Sequence, residues 1–371
     1  MKKISTIHHR AWIEINLSNF ENNIKVIQQA LPSGCHLMPV IKADAYGHGS
    51  LVIAKKLNEL GIFDMAVATL KEAIVLRENH VKGNILILGY TDPEDLHLVL
   101  KYDLIQTIVD GDYIQALRKQ KRKRPLKVHI KINTGMNRIG IAADDIETIL
   151  QVYQLPQLKP LGMYSHFAVA DSPKKADQKF TQMQIDRFFA CAEAIKQAGY
   201  DPGYIHLQNS YGLLAYPIQG CHFVRTGLLM YGVILQEQLL LKSVLSLKAT
   251  IISVKDIKKG ESVGYGRYYQ AKSNRKIATV SIGYADGYPL NLSQSEVKVK
   301  VKDQFVPLAG RICMDQLMID ISGMDVEVGD VVTLIGEEEP ICAATVALEA
   351  GTSTYELLSR LGPRLEKVII N

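Results

Sequence analysis

The chain has 371 residues, 47% hydrophobic and 22% charged, with a formal net charge of +5. This ordinary globular composition suits a sizeable core in two domains, and no apolar run reaches the roughly 18 to 20 residues that a membrane span needs. The five cysteines are scattered, odd in number and free of CxxC spacing, which argues against structural zinc and for a reducing compartment.

The N-terminal stretch, MKKISTIHHRAWIEI, lacks the apolar segment of a signal peptide, so the expected location is the cytoplasm. Ser18 to Leu31 then reads as a helix. Ser18 and Glu21 are spaced as a capping box, and Phe20, Ile24, Ile27 and Leu31 share one face. LMPVIK (37–42) is the first of eight short apolar runs. The others are MAVATL (65–70), NILILG (84–89), LIQTIVD (104–110), LKVHIKI (126–132), LKPLGMYS (158–165), YIHLQ (204–208) and HFVRT (222–226). Between most of them lie polar or amphipathic stretches long enough for a helix, of which 181–199, ending in a glycine stop, is the clearest.

Residues 118–127 hold seven basic side chains and no acid. Such a run reads first as a solvated helix end. An acidic membrane surface is the alternative, and nucleic acid is disfavoured because no aromatic platform accompanies the charge.

Eight strand–helix units in roughly 240 residues is the arithmetic of a (β/α)8 barrel. An open doubly wound sheet competes, but its GxGxxG fingerprint after the first strand is missing. Beyond about residue 245 the runs shorten and crowd together between glycines and aspartates, which predicts a separate β domain. Residues 344–362 turn helical again. The expected division is a barrel over 1–245, its first ten or so residues packing with the β domain, and a mostly-β domain over 246–371.

In such a barrel the reactive groups sit at the C-terminal ends of the strands. Strand one ends in Lys42. Strand five leads from Lys131 to Arg138, strand six ends at His166, strand seven at Asn209 and Ser210, and strand eight at Arg225 and Gly227. Each has a bland reading: a solvated lysine, a satisfied core histidine, an ion-paired arginine, a plain NSYG turn. Cys313 alone reads as a small buried hydrophobe. The joint pattern at one mouth is what points to chemistry. The Ser210 hydroxyl and the bare amides of the Arg225–Gly227 turn suit a phosphate, and a lysine on the opposite strand suits an aldehyde. Together they suggest pyridoxal 5′-phosphate held as a Schiff base.

PVIKADAYGHG, KINTGMNRIG, GMYSHFAVAD, FVRTGLLMYG, SVGYGRYY, IGYADGYP, PLAGRICMDQ and TYEL together resemble the bacterial alanine racemase family, in its order from residue 39 to 357. The resemblance implies an α/β chain: an N-terminal (β/α)8 TIM-type barrel, then a C-terminal mostly-β domain. It implies pyridoxal phosphate without a metal, and a homodimer making D-alanine for peptidoglycan. By position, Lys42 would carry the cofactor and act as one acid/base group. Tyr265 would be the other, reaching in from the second subunit and tuned by His166. Arg225 would face the pyridine nitrogen. Tyr46, Ser210, Gly227, Leu228 and Tyr355 match phosphate positions. Arg138 would face the cofactor's phenolic oxygen and the substrate carboxylate, and Lys131 matches a lysine that some members carbamylate. Met314, Asp315 and Tyr284 match the substrate entrance from the partner subunit.

The chain departs from the family in places. Leu290 stands where GYPR is usual. NSYGLLAYP and LLSRLGPRLE are more similar to the membrane-linked serine racemases of vancomycin resistance, so a catalytic half of such a protein is the alternative. Tyr355 argues for alanine, because the serine branch has asparagine there. Two further readings are a barrel-type amino-acid decarboxylase, with Cys313 as its cysteine, and a non-catalytic pyridoxal-phosphate carrier. Tyr265 and the β domain speak against both.

Overall fold

The eight apolar runs form a closed parallel ring. The strands Asp64–Val67, Asn84–Ile87, Ile105–Ile108, Leu126–Asn133, Leu158–Tyr164 and Tyr204–His206 pair in that order, all parallel. The first and eighth runs supply His36–Leu37 and Phe223–Val224, which pair with each other. Bridges from Val40 to Ala66 and from Asn209 to Arg225 close the two seams, and Val40 N donates to Thr226 O at 2.7 Å. LMPVIK is thus no continuous strand: pairing is regular only at its start and returns at Val40.

The ring forms because its inward residues are apolar and fit. Met38, Val40, Ala66, Leu86, Ile105 and Phe223 pack as one buried cluster. Parallel strands need crossovers, and the intervening polar stretches supply helices, among them Leu70–Glu78, Gly111–Arg118 and Ile146–Gln154. Side-chain caps at Thr69, Asp110 and Asp145 start these three helices.

The computed structural model describes residues 10–120, 124–216, 220–234 and 239–371. The middle of the basic run, 121–123, lies outside the described residues, as do residues 1–9. Of the rest of that run, Arg118 closes the helix Gly111–Arg118, the Arg124 guanidinium donates to Leu100 O, and Lys127 Nζ meets Asp103 at 2.9 Å. Among the described residues no helix is long and apolar enough to cross a membrane.

Two helices differ from expectation. The first spans Leu17–Gln29 and is started by Asn16, whose Oδ1 accepts Asn19 N at 2.9 Å, so Ser18 is already inside it. The earlier polar side chain takes the cap. Three residues of its predicted face, Phe20, Ile24 and Ile27, are buried, whereas Leu31 lies beyond the helix end and is half-buried. The long helix runs Lys175–Gln197, starting before residue 181.

The chain divides into two compact units. One comprises 25–45 and 50–227 and carries the ring. The other comprises the stretch ending at Ile24, 46–49 and 228–371. The second holds an eight-stranded sheet. Its main path runs Gln304–Pro307, Lys298–Val301, Val331–Ile335, Leu245–Ile257, Ala11–Asn16, Glu366–Ile370. A bulge between Ile251 and Ser253 turns the long strand, so that its far half pairs with Arg275–Val280 instead.

Candidate active site

Lys42 follows the first strand and opens an unusual backbone. Ala43, Asp44 and Ala45 all lie in the left-handed region, with φ of 51°, 52° and 55°, and Tyr46 continues at 55°. For L-residues this costs about 1–2 kcal/mol each, so roughly 4–8 kcal/mol over the four. Hydrogen bonds hold the turn. Ala43 N donates to Glu72 Oε1 at 2.7 Å, Ala45 N to Ile41 O at 3.0 Å, and Ser50 N to Asp44 Oδ1 at 2.7 Å. Burial and then the Arg138 guanidinium lower the Lys42 pKa, and Glu72 pulls it partly back up.

Arg225 is the hub of the strand ends. It is only 3% exposed, so its charge must be matched by fixed acceptors. Nη1 donates to His206 Nδ1 at 2.9 Å and His206 O at 2.8 Å. Nη2 donates to Ser165 O at 2.5 Å and Leu207 O at 3.1 Å, and lies 3.4 Å from His166 Nδ1. Burial lowers its pKa to about 10, which leaves it charged at neutral pH. No carboxylate is among these partners.

This cation fixes the tautomers around it. A guanidinium cannot accept, so His166 Nδ1 and His206 Nδ1 are acceptors and each ring carries its proton on Nε2. His206 Nε2 then donates to His129 Nδ1 at 2.7 Å. All three imidazoles are held neutral, first by burial and then by Arg225; His129 is lowered to about 3. Tyr164 stacks on His206, with ring centroids 5.0 Å apart and planes 10° apart. Glycine at 162 makes room: a Cβ there would lie 2.3 Å from Tyr204 O and 3.0 Å from His129 Cε1.

Lys131 is buried beside the hub, and its Nζ donates to Ile132 O at 2.9 Å. Burial, then Arg225 and Arg138, lower its pKa to about 7. Arg138 is exposed, yet its charge reaches Lys42, Lys131 and His166. Asn209, expected at the end of strand seven with a plain turn as its bland reading, caps the helix Ser210–Ala215, accepting Gly212 N at 2.8 Å. The Gly227 amide is not bare: it donates to Ser210 Oγ at 3.0 Å. That leaves the Ser210 hydroxyl proton for another acceptor. Thr226 Oγ1 is buried without a hydrogen-bond partner among the described residues.

The other unit holds the remaining residues in two groups. The Tyr46 and Tyr355 rings lie 6.1 Å apart, and Leu228 is buried. Tyr265, Tyr284 and Met314 are 70%, 41% and 53% exposed. Tyr284 N donates to Cys313 O at 3.1 Å and Ala285 N to Met314 O at 3.0 Å, which ties these two turns together. Asp315 is held by Arg364 at 2.8 Å. Cys313 is half-buried and its pKa is raised by burial, so it is no activated nucleophile.

The alanine racemase N-terminal domain model matches residues 15–234, and the alanine racemase C-terminal domain model matches 244–369. The chain belongs to the alanine racemase family. It is 37% identical over 371 residues to an alanine racemase of Clostridium tetani, covering 97% of this chain and 95% of that one. It is 38% identical to an amino-acid racemase of Enterococcus faecalis over 96% of this chain, but spans only 51% of that longer relative. Among solved structures, an alanine racemase of Clostridium difficile superposes with a TM-score of 0.92 at 32% identity, over 98% of this chain and 97% of that one. One from Enterococcus faecalis gives 0.90 at 32% identity, over 99% and 100%.

Within this family fold, the ring brings together Lys42, Arg138, Lys131, His166, Arg225, Ser210 and Gly227. Sequence reasoning missed Glu72, His129, Tyr164 and His206. The two histidines sit inside apolar strand runs, where a polar residue on the inward face was the available signal.

Proposed function

We propose that this chain is a pyridoxal 5′-phosphate-dependent alanine racemase that works as a homodimer. The observation that carries the reading is the contrast between two cations at the strand ends of one ring. Lys42 is shifted toward its neutral, nucleophilic form, whereas Arg225 is buried and permanently charged. The donor set fits the cofactor. Ser210 has a hydroxyl proton to give, and Thr226 has a buried hydroxyl that lacks a partner among the described residues. Lys42 would hold the group covalently, Arg225 would donate to its ring nitrogen, and Tyr46, Ser210, Gly227, Leu228 and Tyr355 would hold its phosphate. When bound, pyridoxal phosphate supplies a conjugated ring that withdraws electrons and acidifies the amino acid's Cα–H.

Racemisation needs a base on one face of Cα and an acid on the other. Lys42 Nζ and the Tyr265 phenol of the second subunit would take these roles. One removes the proton, the other delivers its own to the opposite face, and proton exchange with solvent then returns both to their starting forms. Neutral His166 has its Nε2–H free of Arg225, and it would donate to the phenolate oxygen to help the phenol give up its proton. Arg225 keeps its own proton, so it would donate to the ring nitrogen without protonating it, which would limit charge build-up there and disfavour transamination. Arg138 would pair with the substrate carboxylate, and Tyr284, Met314 and Asp315 would line the entrance. The large exposed area of Tyr265 and Tyr284 supports a second copy covering them.

Alanine is the substrate named for the full-length relatives, and the Clostridium difficile alanine racemase has been solved with cycloserine. Tyr355 stands where the resemblance to the serine-racemising branch would call for asparagine, and we read it as favouring a methyl over a hydroxymethyl side chain. A single hydroxyl is only weakly rejected, so slower serine turnover accompanies it. The test is borohydride reduction of the purified protein with pyridoxal phosphate, followed by peptide mass spectrometry. The label belongs on the peptide holding Lys42; a label elsewhere, or none, contradicts the reading.

A further inference from the structure

We propose that Glu72 is a positioning residue for Lys42: its carboxylate clamps the left-handed turn that presents the lysine. The inference rests on the reading of Lys42 as the cofactor-bearing residue. Glu72 occupies the third position of the helix Leu70–Glu78, where a glutamate ordinarily completes a capping box. Here Oε2 meets that need and more, accepting Thr69 N at 3.0 Å and Ala68 N at 2.8 Å. The cap leaves Oε1 unexplained. That oxygen reaches 29 residues back and accepts Ala43 N at 2.7 Å.

One carboxylate therefore ties the exit of the second strand to the first residue after Lys42. Ala43 is where the chain enters four successive left-handed residues, none of them glycine. Backbone held in that region persists only where its surroundings over-determine it, and such strain gathers at functional sites. The consequence for Lys42 is twofold. Its Cα is fixed by a neighbour whose amide cannot move, and a negative charge offsets the repulsion of Arg138. The charged and titratable groups facing Lys42 are Arg138, from the loop after Leu126–Asn133, His166, after Leu158–Tyr164, and Glu72 itself. Glu72 is the one anion among them.

Three variants separate positioning from capping. Glu72→Gln keeps the size but loses the charge and one acceptor. Glu72→Asp keeps the charge but loses reach. Thr69→Ala removes the hydroxyl cap and leaves Glu72 intact. Two readouts apply to the full-length protein: hydrogen exchange of the segment holding Ala43, and the pH dependence of pyridoxal phosphate trapped on Lys42 by borohydride. In Glu72→Gln, exchange at Ala43 rises at least about tenfold and the trapping profile moves to lower pH, since an attraction favouring the protonated amine is gone. In Glu72→Asp, exchange rises but the profile stays closer to wild type. In Thr69→Ala, both stay within about twofold of wild type. Exchange or profile unmoved in Glu72→Gln, or matched by Thr69→Ala, overturns the proposal. Absence of trapping in the wild type would sink the cofactor reading instead, and exchange at Ala43 would still decide whether Glu72 holds the turn.

Discussion

Replacing Arg225 with lysine conserves charge and removes geometry, which makes it a sharp test of the hub. The guanidinium serves five acceptors: His206 Nδ1, His206 O, Ser165 O, Leu207 O and His166 Nδ1. An ammonium has three donors, so at least two acceptors in a buried site lose their partner. At about 1–3 kcal/mol for each unsatisfied buried group, the variant is destabilised by roughly 2–6 kcal/mol. With a urea m-value of about 3 kcal/mol/M for a chain of this size, the midpoint falls by roughly 0.7–2 M. Far-ultraviolet circular dichroism across a urea series reads this directly. The freed histidines also lose their enforced tautomers, so the kcat/KM for alanine falls by at least about 100-fold, equivalent to about 2.7 kcal/mol of transition-state stabilisation. A lysine variant with an unchanged midpoint and wild-type turnover would refute the argument that these five contacts hold the site.

Tyr265→Phe removes one acid/base group from an exposed position, so racemisation drops by about 10²–10⁴-fold while borohydride labelling of Lys42 persists; loss of labelling would contradict its assignment to proton transfer. Tyr355→Asn raises serine turnover relative to alanine in a competition assay, and an unchanged ratio removes Tyr355 as the selector. Lys131 has a folded pKa of about 7 against a normal 10.5. The unfolded chain therefore binds more protons between those values, so stability rises with pH from about 7 to about 10.5. Lys131→Met flattens that rise in urea midpoints taken at several pH values. Wild-type midpoints that show no such rise would mean that Lys131 is not a free amine, and intact mass would then reveal a carbamate.

The ring was legible because eight apolar runs of strand length alternate with helix-length polar stretches, and parallel pairing forces such spacing. The strand ends were legible too, since Lys42, His166, Ser210 and Arg225 interrupt or follow apolar runs. The partners of these residues were not. His129 and His206 are buried inside strands, and only the three-dimensional crossing brings them to 2.7 Å. The left-handed turn at Ala43–Ala45 carries no glycine, so no local signal announces it; a long-range carboxylate sustains it. The strand Ala11–Asn16 was hidden within a short N-terminal segment, and its sheet partners lie more than 200 residues away. At Ser18 a good capping pattern lost to Asn16, two residues earlier.

The most direct test of the account is proton NMR of L-alanine and L-serine together in D2O, with the purified protein and pyridoxal phosphate, and a D-amino-acid oxidase readout of the products. The account predicts that alanine loses its Cα proton signal faster than serine and that D-alanine accumulates. Faster exchange of serine would overturn the pocket argument at Tyr355, and exchange of neither would contradict the two-base racemase itself.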